Sequence, residues 1–352
     1  MKRALRWLFG LLVLGVLVLA GADYLVWRWA GGLIAENYAN WRAAREAEGW
    51  VVENGPPHLG GWPFEARLSV PDVALKGGAG VMPGGMALTL PVVDLAVSVM
   101  APRDLRITAE GTARARLAFL PPLAITAEAA ELHAILAAEP EAAAPLAGSA
   151  ARVTVQPDEA AQGAAQGLIF TIDRIDFLLS SPAAPPTLTV HAQANGIGLP
   201  AAIAWPFGPH IGRLSFDLSL APPLPPGTDF AANEAAWHQA GGALRLAATL
   251  TDWGGAALSG EAKIGLDDKL APEGIGLLHL IDPDAAVASL AHAGMIPDGS
   301  AQALGAVLRL IARPAAEGGK PEVDLPLAWS AGTVSAGGIP LFRLTREGLG
   351  AP

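Results

Sequence analysis

The 352-residue chain contains no cysteine. Disulfides, iron–sulfur centres, thiol nucleophiles and a lipid-modified cysteine anchor are therefore excluded. Charge is also scarce, at 16% of residues, and cations most of all, with 23 Lys and Arg against 33 Asp and Glu. Phosphate binding needs clustered positive charge, and no basic stripe is present, so nucleic acid is not expected as a partner. Catalytic signatures are missing too. The seven histidines, at 58, 133, 191, 210, 238, 279 and 292, have no ligand-like spacing, and there is neither a His-Glu-x-x-His pair nor a Gly-x-Ser-x-Gly elbow. Gly77-Gly78-Ala79-Gly80 and Gly84-Gly85 lack the Lys-Ser or Lys-Thr of a phosphate cradle and read as turns. Asp267 and Asp268 are adjacent acids without further oxygen ligands, the pattern of a solvated turn rather than a calcium site. No catalytic residue, metal or cofactor is nominated.

Apolar residues are abundant, at 52%. From Trp7 to Ala22 no residue is charged, and the run continues past Asp23 to Trp27. At about 1.5 Å per residue, residues 7–27 reach roughly 31 Å, enough to cross a hydrocarbon core. Lys2, Arg3 and Arg6 precede the run and Trp27, Arg28 and Trp29 follow it, which predicts a cytoplasmic N-terminus and an exported remainder. Without those three cations the rest of the chain holds 20 basic and 33 acidic residues, about −13 with neutral His. Two readings of the leader stand. Ala20-Gly21-Ala22 fits a signal-peptide cleavage site, whereas the continuing apolar residues and a helix through Leu33, Ile34, Tyr38, Trp41 and Ala44 fit an uncleaved inner-membrane anchor with a stalk. The domain reading is a tip and anchor over 1–29 and a helical stalk over 30–49. A β-rich exported region over 50–220 follows, then a Pro-rich connector over 221–230, a sheet with amphipathic helices over 231–346, and a tail over 347–352.

Beyond Gly49 the pattern alternates with period two. Arg67-Leu68-Ser69-Val70, Asp94-Leu95-Ala96-Val97, Thr187-Leu188-Thr189-Val190 and Arg213-Leu214-Ser215-Phe216 each place apolar residues on one face, between Pro- and Gly-rich turns. The fold class predicted is mainly β (α+β): a long curved antiparallel sheet with a few covering helices. Residues 137–150 and 156–167 are low in complexity and read as surface insertions. A short helix is expected near Asn233–Ala240, another after Asp282-Pro283-Asp284, and a third from Ser300 with Leu304, Val307, Leu308 and Ile311 on its apolar side and Arg309 and Arg313 on its polar face. Trp62-Pro63-Phe64 before Arg67-Leu68-Ser69 is echoed by Trp205-Pro206-Phe207 before Arg213-Leu214-Ser215, which suggests two related halves.

Trp62, Phe64, Trp205, Phe207 and Trp253 are the candidate ligand-binding residues. They would line the mouth of an apolar groove with indole N–H groups free for a polar headgroup, or else simply pack over glycine. The partners expected are the inner membrane through residues 7–27, a lipid, or another envelope protein.

Ala236-Trp237-His238-Gln239-Ala240-Gly241-Gly242, Trp253-Gly254, Gly265-Leu266-Asp267 and Pro272-Glu273-Gly274, with Gly60 to Phe64 and Gly338-Ile339-Pro340-Leu341, resemble a domain-of-unknown-function family of Gram-negative bacteria. The resemblance implies an N-terminal membrane segment and an exported β-rich domain, and no reaction. In outline the chain is also similar to AsmA-like envelope proteins, which pair a membrane anchor with a β-sheet groove and are associated with lipid handling. That likeness is one of architecture alone.

Overall fold

The computed structural model describes residues 2–77, 85–98, 100–117, 123–135, 145–157, 168–181, 186–225, 229–254, 256–314, 320–330, 333–336 and 339–343. Helix α1 (Lys2–Ala47) opens the chain, followed by β1 (Trp50–Glu53), β2 (His58–Gly60), β3 (Glu65–Gly77), β4 (Met86–Ser98), β5 (Ala101–Glu110), β6 (Ala113–Leu117), β7 (Leu123–Thr126), β8 (Ala129–Ile135) and β9 (Leu146–Pro157). Then come β10 (Phe170–Ser180), β11 (Leu188–Gly198), β12 (His210–Ala221), α2 (Phe230–Gln239), β13 (Ala243–Trp253), β14 (Ala256–Leu266) and β15 (Pro272–Ile281). The chain closes with α3 (Pro283–His292), α4 (Asp298–Ile311), β16 (Glu322–Ser330), β17 (Thr333–Ala336) and β18 (Ile339–Arg343).

All described strands join one antiparallel sheet. β1 and β2 pair with β3, β3 with β4, and β4 with β5 and β6, which are two stretches of one interrupted strand. β7 and β8 repeat that arrangement between β6, β5 and β9, and from β9 to β18 each strand pairs with the next. The Pro-rich connector leads into α2, while the sheet passes directly from β12 to β13. The mainly β class with an N-terminal apolar helix is as the sequence predicts.

The sequence reading needs three corrections. Residues 146–150 are not insertion but the start of β9, because small residues there meet large neighbours: a Cβ on Gly148 would lie 2.4 Å from Phe177 Cζ and 2.6 Å from Leu132 Cδ2. Residues 136–144 and 158–167, and the tail 347–352, lie outside the described residues. α4 ends at Ile311, so Arg313 belongs to a bridge with Glu322 and not to the helix. Only Leu308 of its expected apolar face is buried, against Val287 and Val323, while Leu304, Val307 and Ile311 remain exposed.

One feature shapes the sheet. Asp72, Pro91, Gly111, Glu128, Arg152, Asp173, Gly196, Gly212 and Asp252 fall on a single register line running from β3 to β13. Backbone φ is positive on every second strand of that line: Asp72 52°, Gly111 88°, Arg152 48°, Gly196 61° and Asp252 59°. Each left-handed residue reverses the alternation of faces. Inward positions are three apart where strands cross the line, both on a left-handed strand, as at Val70/Val73, and on the strands between, as at Ile172/Ile175 and Ile211/Leu214. Glu128 and Arg152 form an ion pair across it. This crease bends the sheet along a line shared by its strands, adding to their ordinary twist.

Candidate functional site: an apolar sheet face

Strand pairing carries one apolar row across twelve strand positions. It runs from Leu68 and Leu95 through Ile107 and Leu132 to Phe177 and Phe216, and on to Leu278 and Leu325. At about 4.8 Å per strand the row is roughly 53 Å long. Among the described residues, helices cover only its ends. α1 packs Ile34, with Trp27, Ala30 and Tyr38, onto Ala66, Leu68, Val70 and Val97, and α3 with α4 packs Val287 and Leu308 onto Val323 and Leu325. Between these caps, Leu244, Leu246, Ala248 and Leu250 stay half-buried although alternate residues on the same strand are exposed. That difference belongs to the curvature of the sheet, since no described helix lies over the stretch.

The best-defined hollow on this face lies between α1 and β3–β5 and holds about 480 Å³. Leu33, Ile34 and Trp41 form its helical wall, and Val73, Leu95 and Leu105 line its floor. Polar groups sit at the rim. Tyr38 donates its hydroxyl to Asn54 Oδ1 at 3.0 Å, and burial pushes the phenol pKa up while the nearby Arg42 guanidinium pulls it down. Behind the floor, on the polar face, Arg106 bonds Glu65 at 2.5 Å, and Arg67 bonds the same carboxylate and approaches buried Asp94 at 3.8 Å. The Glu65 hydrogen bond raises the Arg67 pKa, desolvation opposes it, and the charges of Glu65 and Asp94 add to the rise.

Sequence-nominated residues divide between two places. Trp62 and Phe64 precede β3, beside α1, where the Tyr24 ring meets Trp62 edge-on at 6.4 Å. Because successive strands reverse direction, Trp205, Phe207 and Trp253 lie at the opposite strand ends, with ring centroids 6.4 Å (Trp205–Trp253) and 4.9 Å (Phe207–Trp253) apart. Their indoles are committed: Trp205 donates to the Pro200 carbonyl at 2.9 Å and Trp253 to the Gly208 carbonyl at 2.8 Å. Gly254, at φ 56°, allows the approach, since a Cβ there would come within 2.3 Å of the Phe207 carbonyl oxygen. The structure thus makes two aromatic clusters, and the second is a packed corner. Trp237 is a buried anchor bonded to the Pro222 carbonyl at 2.7 Å. The hollow's helical wall is not among the residues nominated from sequence, although Ile34, Tyr38 and Trp41 share one side of α1 at helical spacing.

On the polar face of β10–β15 lies a wider hollow of about 680 Å³ that includes His191, Asp217, Arg245 and Lys263. His191 Nδ1 is 2.5 Å from Asp217 Oδ1, yet among the described residues no serine or threonine hydroxyl is bonded to that imidazole. His279 likewise pairs with Asp324 at 2.8 Å. Asp267 accepts backbone N–H bonds from Lys269 and Ala271, chiefly the latter lowering its pKa, as befits the turn expected there. No cluster of three or more metal-ligating side chains occurs among the described residues.

No curated protein and no solved structure matches the chain. Residues 27–344, from the last turn of the apolar run to the final strand, match a family described as uncharacterized protein conserved in bacteria (DUF2125), and the chain belongs to that family.

Proposed function

We propose that this chain is a single-pass inner-membrane protein that holds an apolar ligand, such as a lipid acyl chain, on its sheet face in the periplasm and performs no chemistry on it. The observation that carries this reading is the apolar row whose ends alone, among the described residues, are covered by helices. An apolar face of that extent left half-buried along its middle is costly in water unless something occupies it. α1 supports an uncleaved anchor: it is one helix of 46 residues, apolar enough in part to cross a membrane, and it continues through Ala20-Gly21-Ala22 into the packing against β3. Lys2, Arg3 and Arg6 then hold its start in the cytoplasm.

The test is photocrosslinking in growing cells, with a photoreactive side chain at Phe216 in the uncovered stretch and at Ile275 on the polar face. Labelled lipid captured at 216 and not at 275 is the expected result. Equal capture at both positions, or none at either, would overturn the groove.

One observation favours a scaffold as the second reading. α4 exposes Leu304, Val307, Ile311 and Leu310, the last at 87%, along its outer side. A photoreactive side chain at Leu310 that captures a single envelope protein in stoichiometric yield would move the function towards assembly.

A further inference from the structure

The sheet end beside α1 carries a cluster of exposed apolar side chains. Phe64 is 82% exposed and Met100 92%, and Trp62 and Leu59 are exposed next to them. Register brings these residues together. Glu65 pairs with Ser98 and Ser98 with Ala101, so the turn leading into β3 and the turn leading into β5 sit side by side. α1 fixes the height of this edge. Trp27 donates its indole N–H to the Gly60 carbonyl at 3.0 Å, Tyr24 touches Trp62, and a Cβ on Gly31 would already lie 3.0 Å from Leu59. Tyr24 and Trp27 belong to the last turn of the apolar run, just past Asp23, so the turns stand at the level where the helix leaves hydrocarbon.

We infer that Phe64 and Met100, flanked by Trp62 and Leu59, dip into the leaflet on the sheet's side of the bilayer, so that the protein meets the lipid surface through two turns as well as through α1. Isolated exposed apolar residues are ordinary, but three from two turns and a fourth from β2, joined by aromatic and backbone contacts to a spanning helix, match the interfacial mode of binding. The arrangement has a geometric result. The helical wall of the 480 Å³ hollow starts at Trp29, less than one turn beyond Trp27, so the hollow begins close to the level of the inserted turns. This inference rests on the reading of α1 as an uncleaved span.

The cysteine-free chain allows a direct test. Single-cysteine variants Phe64→Cys, Met100→Cys and, as control, Ile275→Cys are labelled with an environment-sensitive fluorophore and reconstituted full length into phosphatidylethanolamine/phosphatidylglycerol vesicles containing nitroxide lipids. All three positions are exposed, so folding is not at stake. Nitroxide near the headgroup should quench labels at 64 and 100 more than about twofold and leave 275 unchanged, as expected for insertion to the headgroup–acyl boundary. Chains that stay with the vesicles after alkaline extraction but show the same quenching at 64, 100 and 275 would overturn the inserted turns and leave the anchor standing. Chains extracted by alkali would overturn the anchor and the insertion together.

Discussion

Gly196 on β11 lies directly across from Asp173 on β10, and the carboxylate occupies the space a side chain at 196 would need: a Cβ there would be 2.0 Å from Asp173 Oδ2. With φ at 61°, Gly196 meets two demands at once, backbone hand and lateral clearance. Gly196→Ala should therefore cost at least the left-handed penalty of about 1–2 kcal/mol. Asp173→Gly in the same chain should restore only the part due to crowding. Chemical unfolding of the detergent-solubilised full-length protein, run as a double-mutant cycle, separates the two.

Two glycines on the apolar row should behave differently. Gly148→Val drives a side chain into Phe177 and Leu132 and should destabilise by about 1–3 kcal/mol. Gly260→Leu has room, since the nearest atoms to its Cβ lie at 3.6 and 3.7 Å. It should leave the unfolding midpoint nearly unchanged while lowering lipid capture by a photoreactive group at Phe216, because the new side chain fills the face the ligand would occupy.

Asp282 begins α3 with φ at 57°, accepts from the Ala285 N–H at 3.2 Å and pairs with Lys320 at 3.0 Å. The Lys320 hydrogen bond is the main cause holding its pKa below the ordinary 3.8; desolvation opposes it and the Ala285 bond adds to it. Since the folded pKa is the lower one, the stabilisation is fully present above the ordinary value and is lost as pH falls through the folded value. Asp282→Ala should cost about 1 kcal/mol at neutral pH through loss of the cap. Unfolding followed from about pH 5 to about pH 2 should show a shallower acid decline in Asp282→Asn than in the parent.

The aromatic clusters make a paired prediction. Trp253→Phe removes the donor to Gly208 from a part-buried corner and should cost about 1–2 kcal/mol. Trp62→Phe, at an exposed turn, should change stability little and act on vesicle association instead, read by co-flotation of the full-length chain.

Much of the sheet is legible in the sequence because one-faced strands announce themselves: Leu68, Leu95, Phe216 and Leu246 all follow a period of two. The same period hides the crease. Where Ile172 and Ile175, or Val70 and Val73, stand three apart, the spacing looks like a flaw in a strand, and its meaning emerges only when the same irregularity aligns on neighbouring strands. β9 was half-concealed for a related reason, since Ala147, Gly148 and Ala150 are small where Phe177 and Leu132 are large, and single-strand patterns cannot see complementary volumes. The stripe of Ile34, Tyr38 and Trp41 was visible on α1, but nothing along the chain says that a stalk leans on β3–β5 and encloses space. The Trp-Pro-Phe echo marks two turns at opposite ends of one continuous sheet. It also keeps no common phase with the crease, for Asp72 lies five residues after Arg67 whereas Gly212 lies one before Arg213.

The bend of the sheet is written into backbone torsions and steric exclusions on β3 to β13, so it does not depend on contacts made across the apolar face. A face shaped in this way needs no ligand to set its form. Its ligand would meet a rigid host and lose little to ordering it, so affinity would track the ligand's own apolar area and flexibility rather than any closing motion of the protein.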